Sequence, residues 1–417
     1  MSFRQDFAAL AGIGVDPAGG WSRPAFSPAD IAAHEWFLAQ GRACGLAASY
    51  DSFGNAILRL EGEGAAVLIG SHLDTVANGG AFDGAIGVLA GLEVARRIKA
   101  EGTPGAPVEV IAFRDEEGRF GPFTGSRAMV GLHDEEALAR ARSLDGVNLS
   151  DAMAQAGFKP GNAPRDWDAV AAWLELHIEQ GPVLADAGVP LGIVTSIAGQ
   201  ERLSLKFTGQ PDHAGTAPMA LRRDAFAGAA RFAAAFRDEV LAAGDDDVRG
   251  TIGMVRVSPN QGNVVPGEVL LGLEMRGTNS ATLARLRDSV TELANSIAVQ
   301  EKLELRVRNT YSDAPAPMAA WLQDALASSA ASLGHSTMKL PSGANHDSGI
   351  IGRIVPAGML FVPSVGGRSH CPEEETDLGQ IEAAIDVLHR TVVELRRNDR
   401  EKASDRRTVA NQSGIAG

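Results

Sequence analysis

Cysteine is nearly missing from this chain: Cys44 and Cys371 are the only two in 417 residues, too few and too far apart for a disulfide framework. A basic excess is missing as well. Lysine and arginine number 38 against 52 aspartates and glutamates, a formal net charge of −14. That balance argues against nucleic acid and anionic membrane surfaces as partners, since both require a basic face. No apolar run approaches a membrane span, and Asp6 stands where a secretory leader would begin its apolar stretch. Neither a charge block nor an internal repeat stands out. The cytoplasm is the expected location.

What is present is an ordinary globular balance, 45% hydrophobic and 22% charged. The chain is longer than one core usually serves, so two domains are expected. Spacing predicts a helix over residues 31–48. Ala66-Val67-Leu68-Ile69 is an apolar run without alternation, as a buried parallel strand requires. A helix is predicted from Gly84 to Lys99, with Arg96, Arg97 and Lys99 at its C-terminal end, and a strand at Val108–Phe113. Strand, helix and strand in this order indicate an α/β sandwich.

The texture changes near Thr195–Gly199. Leu203–Phe207 alternates strictly, an Ala-rich helix follows over 221–243, strands are predicted at 251–257, 264–275 and 303–307, and a helix lies near 281–298. This reads as an α+β insertion at 199–311 within a discontinuous α/β domain at 1–198 and 312–398. In the second α/β stretch Leu360-Phe361-Val362 is a predicted strand and 378–395 a helix, and the polar tail at 399–417 is expected to be disordered.

Polar residues cluster just after the predicted strands, where open α/β sheets place their sites. The first cluster is Gly70-Ser71-His72-Leu73-Asp74-Thr75, followed by Gly79–Gly84 around Asp83. A strand-end histidine offers a neutral imidazole, and Asp74 is placed to hold it with a carboxylate. Asp83, between glycines that permit tight turns, can share its two oxygens between two cations. Taken singly, His72 also reads as a satisfied core histidine and Asp83 as a helix cap. The second cluster is Glu116-Glu117, whose mutual repulsion favours a cation or one raised pKa. One of the pair can bind metal while the other moves protons, although a solvated acidic loop has the same composition. The third is Glu175–Pro182 around His177, and the fourth Phe361–Pro372, with Gly366-Gly367 and His370. Glycine-rich backbone such as that at Gly367 can bring N–H groups to an anion, while Cys371 fills a small space. Three histidines with two or three carboxylates suit zinc, manganese or cobalt.

With these motifs in hand, the sequence resembles the co-catalytic metallopeptidase-like amidohydrolases, in the branch of N-carbamoyl-L-amino-acid hydrolase, β-ureidopropionase and allantoate amidohydrolase. Further motifs carry the likeness: His213–Met219, Asn263–Pro266 and Ser342–Ser348. The resemblance implies an α/β catalytic domain with an inserted lid and dimerisation domain, a four-stranded sheet with two helices. It implies two divalent cations, one held by His72, Asp83 and His177, the other by Asp83, Glu117 and His370, with Glu116 as general base and acid. It also implies that Gln200, His213, Asn263 and Arg276 grip the substrate and that the protein is a homodimer. Physically, Arg276 suits a bidentate hold on a carboxylate, or else a sheet-surface ion pair. His213 suits a developing oxyanion, or else a cap. His346 matches a motif without a defined role.

Two departures stand out. The loop after Glu116-Glu117 is one residue shorter than usual before Arg119-Phe120, and Asn345 stands where the branch has glycine. The expected activity is hydrolysis of a linear amide in a small carboxylate-bearing substrate, with an N-carbamoyl-L-amino acid foremost. The alternatives are N-acyl-amino-acid or dipeptide hydrolysis and a non-catalytic carboxylate binder.

Overall fold

The computed structural model describes residues 2–413, with side chains described through residue 397. Two compact units divide it: Met1–Thr195 with Met318–Leu340 and Ala344–Gly417, and Ser196–Pro317 with Pro341–Gly343. Part of the tail expected at 399–417 has described backbone, inside the helix Leu378–Ser413, and 414–417 lies outside the described residues. Among the described residues no helix is long and apolar enough to cross a membrane.

The first unit is built on a mixed sheet in which four neighbouring strands run Val108–Phe113, Ala66–His72, Val170–Ile178 and Ala357–Val362. All contacts within this quartet are parallel. Every residue of Ala66–His72 and of Val108–Phe113 is buried, as expected of strands covered on both faces. The helix Ala85–Glu101 is buried along most of its length, and Ile381, Ile385, Leu388 and Val392 of the last helix belong to the same core.

The second unit is an antiparallel four-stranded sheet, in the order Glu304–Asp313, Gly199–Thr208, Glu268–Gly277, Arg249–Ser258, with the helices Ala225–Ala242 and Ser280–Gln300. Leu203, Leu205 and Phe207 alternate inward and pack with Phe232, Phe236 and Val290.

Several boundaries differ from the sequence reading, each for a local reason. The helix expected at 31–48 is Pro28–Ala43, because Gly45 takes φ +73° and the chain turns into a strand at Ala47–Tyr50. The helix expected from 221 begins at Ala225, where the Asp224 carboxylate accepts from the N–H groups of Phe226 and Ala227 at 2.9 and 3.1 Å. The strand expected over 264–275 is broken into Val264–Val265 and Glu268–Gly277, since Pro266 has no N–H to donate to a ladder.

Candidate functional site

The four parallel strands end side by side, and the segments that follow them meet at one site, in which His72, Asp83, Glu116 and His177 are buried and His370 is half exposed. His72 is the last residue of its strand and His177 the penultimate residue of another. Glu116 and Glu117 follow Phe113, and His370 follows Val362 across a short glycine-containing turn. Asp83 precedes the helix that starts at Ala85. Gly84 between them is required: it sits at φ +62°, and a Cβ there would collide with the His72 imidazole.

Asp83 is the centre of the arrangement. Its Oδ1 lies 3.1 Å from His177 Nε2 and 3.5 Å from His72 Nε2, while its Oδ2 lies 3.3 Å from His370 Nε2. Glu117 Oε2 is 3.5 Å from the same His370 nitrogen, and Glu116 Oε2 is 3.7 Å from His72 Nε2. Potential ligand atoms of His72, Asp83 and His177 fall within 4.8 Å of one another, and so do those of Asp83, Glu117 and His370. Thus the structure brings together the six side chains from distant segments that the sequence singled out. Two more groupings meet the same distance, His72 with Glu116 and Glu117, and Glu175 with His177 and His346. In the last of these the carboxylate is already engaged: Glu175 accepts from Ser71 Oγ at 2.8 Å and from the N–H and Oγ of Ser348 at 3.0 and 2.6 Å.

The pocket's titration reflects crowded carboxylates. Burial, then Glu117 and Asp347, pushes Glu116 well above the usual carboxylate range against the pull of His72. Burial and Asp83 raise Glu117 to about 7. Asp83 goes the other way: against burial, His177, His370 and His72 hold it well below that range. Its hydrogen bond to Asp83 raises His370 to about 9, with Glu117 adding to the effect. Such a mixed set of imidazoles and carboxylates, with its negative charge only partly answered from within, fits borderline divalent cations such as zinc, manganese or cobalt.

Asp74 differs from expectation. His72 Nδ1 is 2.9 Å from the backbone carbonyl of Asp74 but 3.8 Å from its carboxylate. That carboxylate instead accepts the N–H groups of Glu116 and Glu117, at 3.3 and 3.2 Å, so Asp74 orients the imidazole with its backbone and the glutamate loop with its side chain. Asp115, at φ +59°, helps close the shortened loop by accepting from Thr124 Oγ1 at 2.6 Å and from Phe120 N–H at 3.3 Å.

Gly367 also departs from its expected role. Its N–H donates to the Ser364 carbonyl at 3.1 Å, and a Cβ there would press on Pro182, so this amide is committed to the turn. His346 is buried with its ring centroid 4.4 Å from that of His177, edge to face. Burial, then His177, pushes it well below the usual histidine value, so it sits neutral beside the pocket.

Gln200, His213, Asn263 and Arg276 lie in the second unit, where they form two pairs. His213 is the register partner of Val264, and the Asn263 carbonyl accepts from Ala214 N–H at 3.0 Å. His213 Nδ1 accepts from the N–H groups of Gly215 and Thr216 at 3.0 and 3.2 Å, which assigns the ring proton to Nε2. Gln200 and Arg276 face each other across adjacent strands. The Arg276 guanidinium bonds Glu274 at 2.5 Å and the Gly343 carbonyl at 2.8 Å.

Sequence reasoning missed three residues around Asp83. Gln180 Nε2 donates to Asp83 Oδ2 at 2.7 Å and Ser369 Oγ to the same oxygen at 2.9 Å. Glu374 accepts the N–H groups of Phe82 and Asp83 at 2.9 and 3.0 Å. Gln180 and Ser369 lie inside the His177 and His370 motifs and Glu374 two residues beyond the latter, and that placement was their only signal.

The sequence model of peptidase family M20/M25/M40 matches residues 68–394. The chain is 38% identical over 396 residues to an N-carbamoyl-L-amino acid amidohydrolase of Geobacillus stearothermophilus, covering 93% of this chain and 96% of that protein. To an allantoate amidohydrolase of Bacillus subtilis it is 36% identical, over 91% and 93% of the two chains. The solved structure of an amidase of the hydantoinase/carbamoylase family from Burkholderia phymatum superposes with a TM-score of 0.87 at 36% identity, covering 95% of this chain and 97% of that one. On these matches the chain belongs to peptidase family M20/M25/M40 and is a hydrolase of its amidohydrolase branch.

Proposed function

We propose that this protein hydrolyses a linear amide C–N bond in a small ureido acid, an N-carbamoyl-L-amino acid foremost, at a pair of divalent cations. The observation that carries this reading is the two-sided Asp83 carboxylate, with Oδ1 toward His72 and His177 and Oδ2 toward His370. His72, Asp83 and His177 would hold one ion, and Asp83, Glu117 and His370 the other. When bound, such ions polarise the scissile carbonyl and lower the pKa of water in the pocket.

The chain's own residues supply the rest. Glu116, buried and left out of both ligand sets, takes the proton from the attacking water and delivers it to the leaving nitrogen. His213, with its proton on Nε2, donates to the developing oxyanion. Arg276 grips the substrate carboxylate, helped by Gln200 and Asn263. We take the second unit as the lid and the contact surface of a homodimer.

The relatives named for carbamoyl amino acids and for allantoate favour a ureido group over an acyl one. A substrate panel tests the choice. N-carbamoyl, N-acetyl and dipeptide forms of one L-amino acid, with allantoate, are incubated with cation-loaded enzyme, and ammonia and free amine are scored. A ureido compound should turn over at least about tenfold faster than the rest, roughly the discrimination a single pocket contact supplies. Faster release from the acetyl or dipeptide form would move the assignment to an aminoacylase or dipeptidase. A protein that binds no cation and turns over nothing would be a carboxylate-binding relative.

A further inference from the structure

Asp83 is held by residues far along the chain, Gln180 at 97 positions and Ser369 and Glu374 at 286 and 291. Two donors converge on its Oδ2, Gln180 Nε2 at 2.7 Å and Ser369 Oγ at 2.9 Å. Ser369 also lies 3.0 Å from Glu374 Oε2, and Glu374 Oε1 takes the backbone N–H groups of Phe82 and Asp83. Ser369 has one hydroxyl proton to share between the two carboxylates, so Glu374 holds the Asp83 backbone with one oxygen and, with the other, sets the place of the hydroxyl that reaches the Asp83 side chain.

The surroundings are built for this contact. Glu374 is 4% exposed, so its charge is taken from water at a cost that only these hydrogen bonds repay. Gly80 is the clearest sign: a Cβ there would overlap the Glu374 carboxylate, so the bare backbone lets the acid in. Ser369 is also the residue before His370, so the same brace fixes the turn carrying His370, itself at φ +57°. A backbone conformation of that kind persists only where its surroundings over-determine it.

We infer that Glu374 is a positioning residue for the cation pair, tying Asp83 to the His370 turn so that Oδ2, Glu117 and His370 meet at one point. This rests on the two-cation reading above. Neither Asp83 nor His370 belongs to the strand of the other, and their two segments are joined by the Glu374 contacts with the Phe82 and Asp83 N–H groups and by the Ser369–Asp83 hydrogen bond. Without them, Oδ1 still faces His72 and His177, which stand on rigid buried strands, whereas Oδ2 loses its register with a loop.

Titration of the metal-free full-length protein with zinc or manganese, followed by calorimetry and elemental analysis, tests the inference. The parent should take up two ions per chain. In Glu374→Ala, which removes both the backbone contacts and the oxygen beside Ser369, one binding step should weaken by roughly 10–100-fold while the other stays put, the range seen when a ligand's supporting partner is removed. Ser369→Ala, which deletes only the side-chain link and leaves the backbone contacts, should weaken the same step by less. Glu374→Gln, whose amide oxygen can still accept both N–H groups while its nitrogen donates to Ser369 Oγ, should stay nearest the parent, and Glu374→Asp should not, being too short to reach both partners. Unchanged uptake in both Glu374→Ala and Ser369→Ala overturns the inference. So does a Glu374→Ala protein in which both steps weaken equally alongside a lowered melting temperature of the metal-free form, since Glu374 would then be a fold contact. A parent that binds no second ion instead removes the two-cation reading itself.

Discussion

The strand Val108–Phe113 feeds two buried clusters of charge within four residues, and they are settled in opposite ways. Arg114 donates through Nη1 to Asp30 and through Nε to the Gly54 carbonyl at 2.6 Å, with its guanidinium 5.1 Å from the ring centre of Phe26 and 5.5 Å from that of Phe158. Asp30 also accepts Phe26 N–H at 2.7 Å and faces His34 Nδ1 at 3.0 Å. Although burial would raise the Asp30 carboxyl, Arg114 and His34 reverse this and hold it at about 2. Next along the chain, Glu116 and Glu117 meet Asp83 without an arginine or lysine among the ion pairs described for any of the three, and both glutamates are pushed up. One cluster pairs its charges within the chain, with Arg114 Nη2 and His34 Nε2 left without hydrogen-bond partners. The other gathers carboxylates around three imidazoles in an arrangement that suits an external cation, and that contrast marks structure from site.

The largest test of the contrast falls on the carboxylate cluster. Glu116→Gln should cut turnover on the order of 10²–10⁴-fold, the contribution of a placed acid–base group, while elemental analysis still finds the parent's cation content. A variant retaining near-parental turnover would remove Glu116 from proton transfer. The cluster paired within the chain should answer in stability instead. Arg114→Met leaves Asp30 buried without its main partner and should cost about 3–5 kcal/mol, read by denaturant unfolding, with cation stoichiometry unchanged at saturation. If it lost cations and kept its stability, the two clusters would not be separable.

Smallest is the acid response. Because the folded pKa of Asp30 lies below its unfolded value, the stability it contributes is full above about pH 4 and is lost as pH falls through about 2. Unfolding curves of the parent and Asp30→Asn across that window should therefore converge on acidification, by on the order of 2 kcal/mol relative to their difference at neutrality. Parallel curves would mean that Asp30 is not held down in the folded state.

What could be read from the sequence was local. Uniform apolar runs mark Ala66–Ile69 and Val108–Phe113 as covered strands, and strict alternation marks Leu203–Phe207 as one face of a half-solvated sheet. His72, Glu116, Glu117 and His177 were visible because polar residues directly follow, or end, such runs. What could not be read were contacts between remote segments. Glu175, inside one of the motifs, looked as available as its neighbours, yet Ser71 and Ser348 occupy it. Glu374 resembled any acid in a Pro-Glu-Glu-Glu stretch until folding set it against Phe82 and Asp83. The break at Pro266 was readable in principle, since a residue without an N–H interrupts a ladder, and the apolar run on both sides concealed it.

By itself, then, the chain determined which chemical groups follow which strands, because side-chain period and chain reversal depend on residues a few positions apart. Tertiary structure decided which of those groups meet. The sheet sets Val108–Phe113 before Ala66–His72 and brings Ala357–Val362 beside Val170–Ile178, an order the chain does not follow. Hydrogen bonds of about 3 Å are selected by that lateral order, so only the folded molecule settles which oxygen of Asp83 faces which histidine.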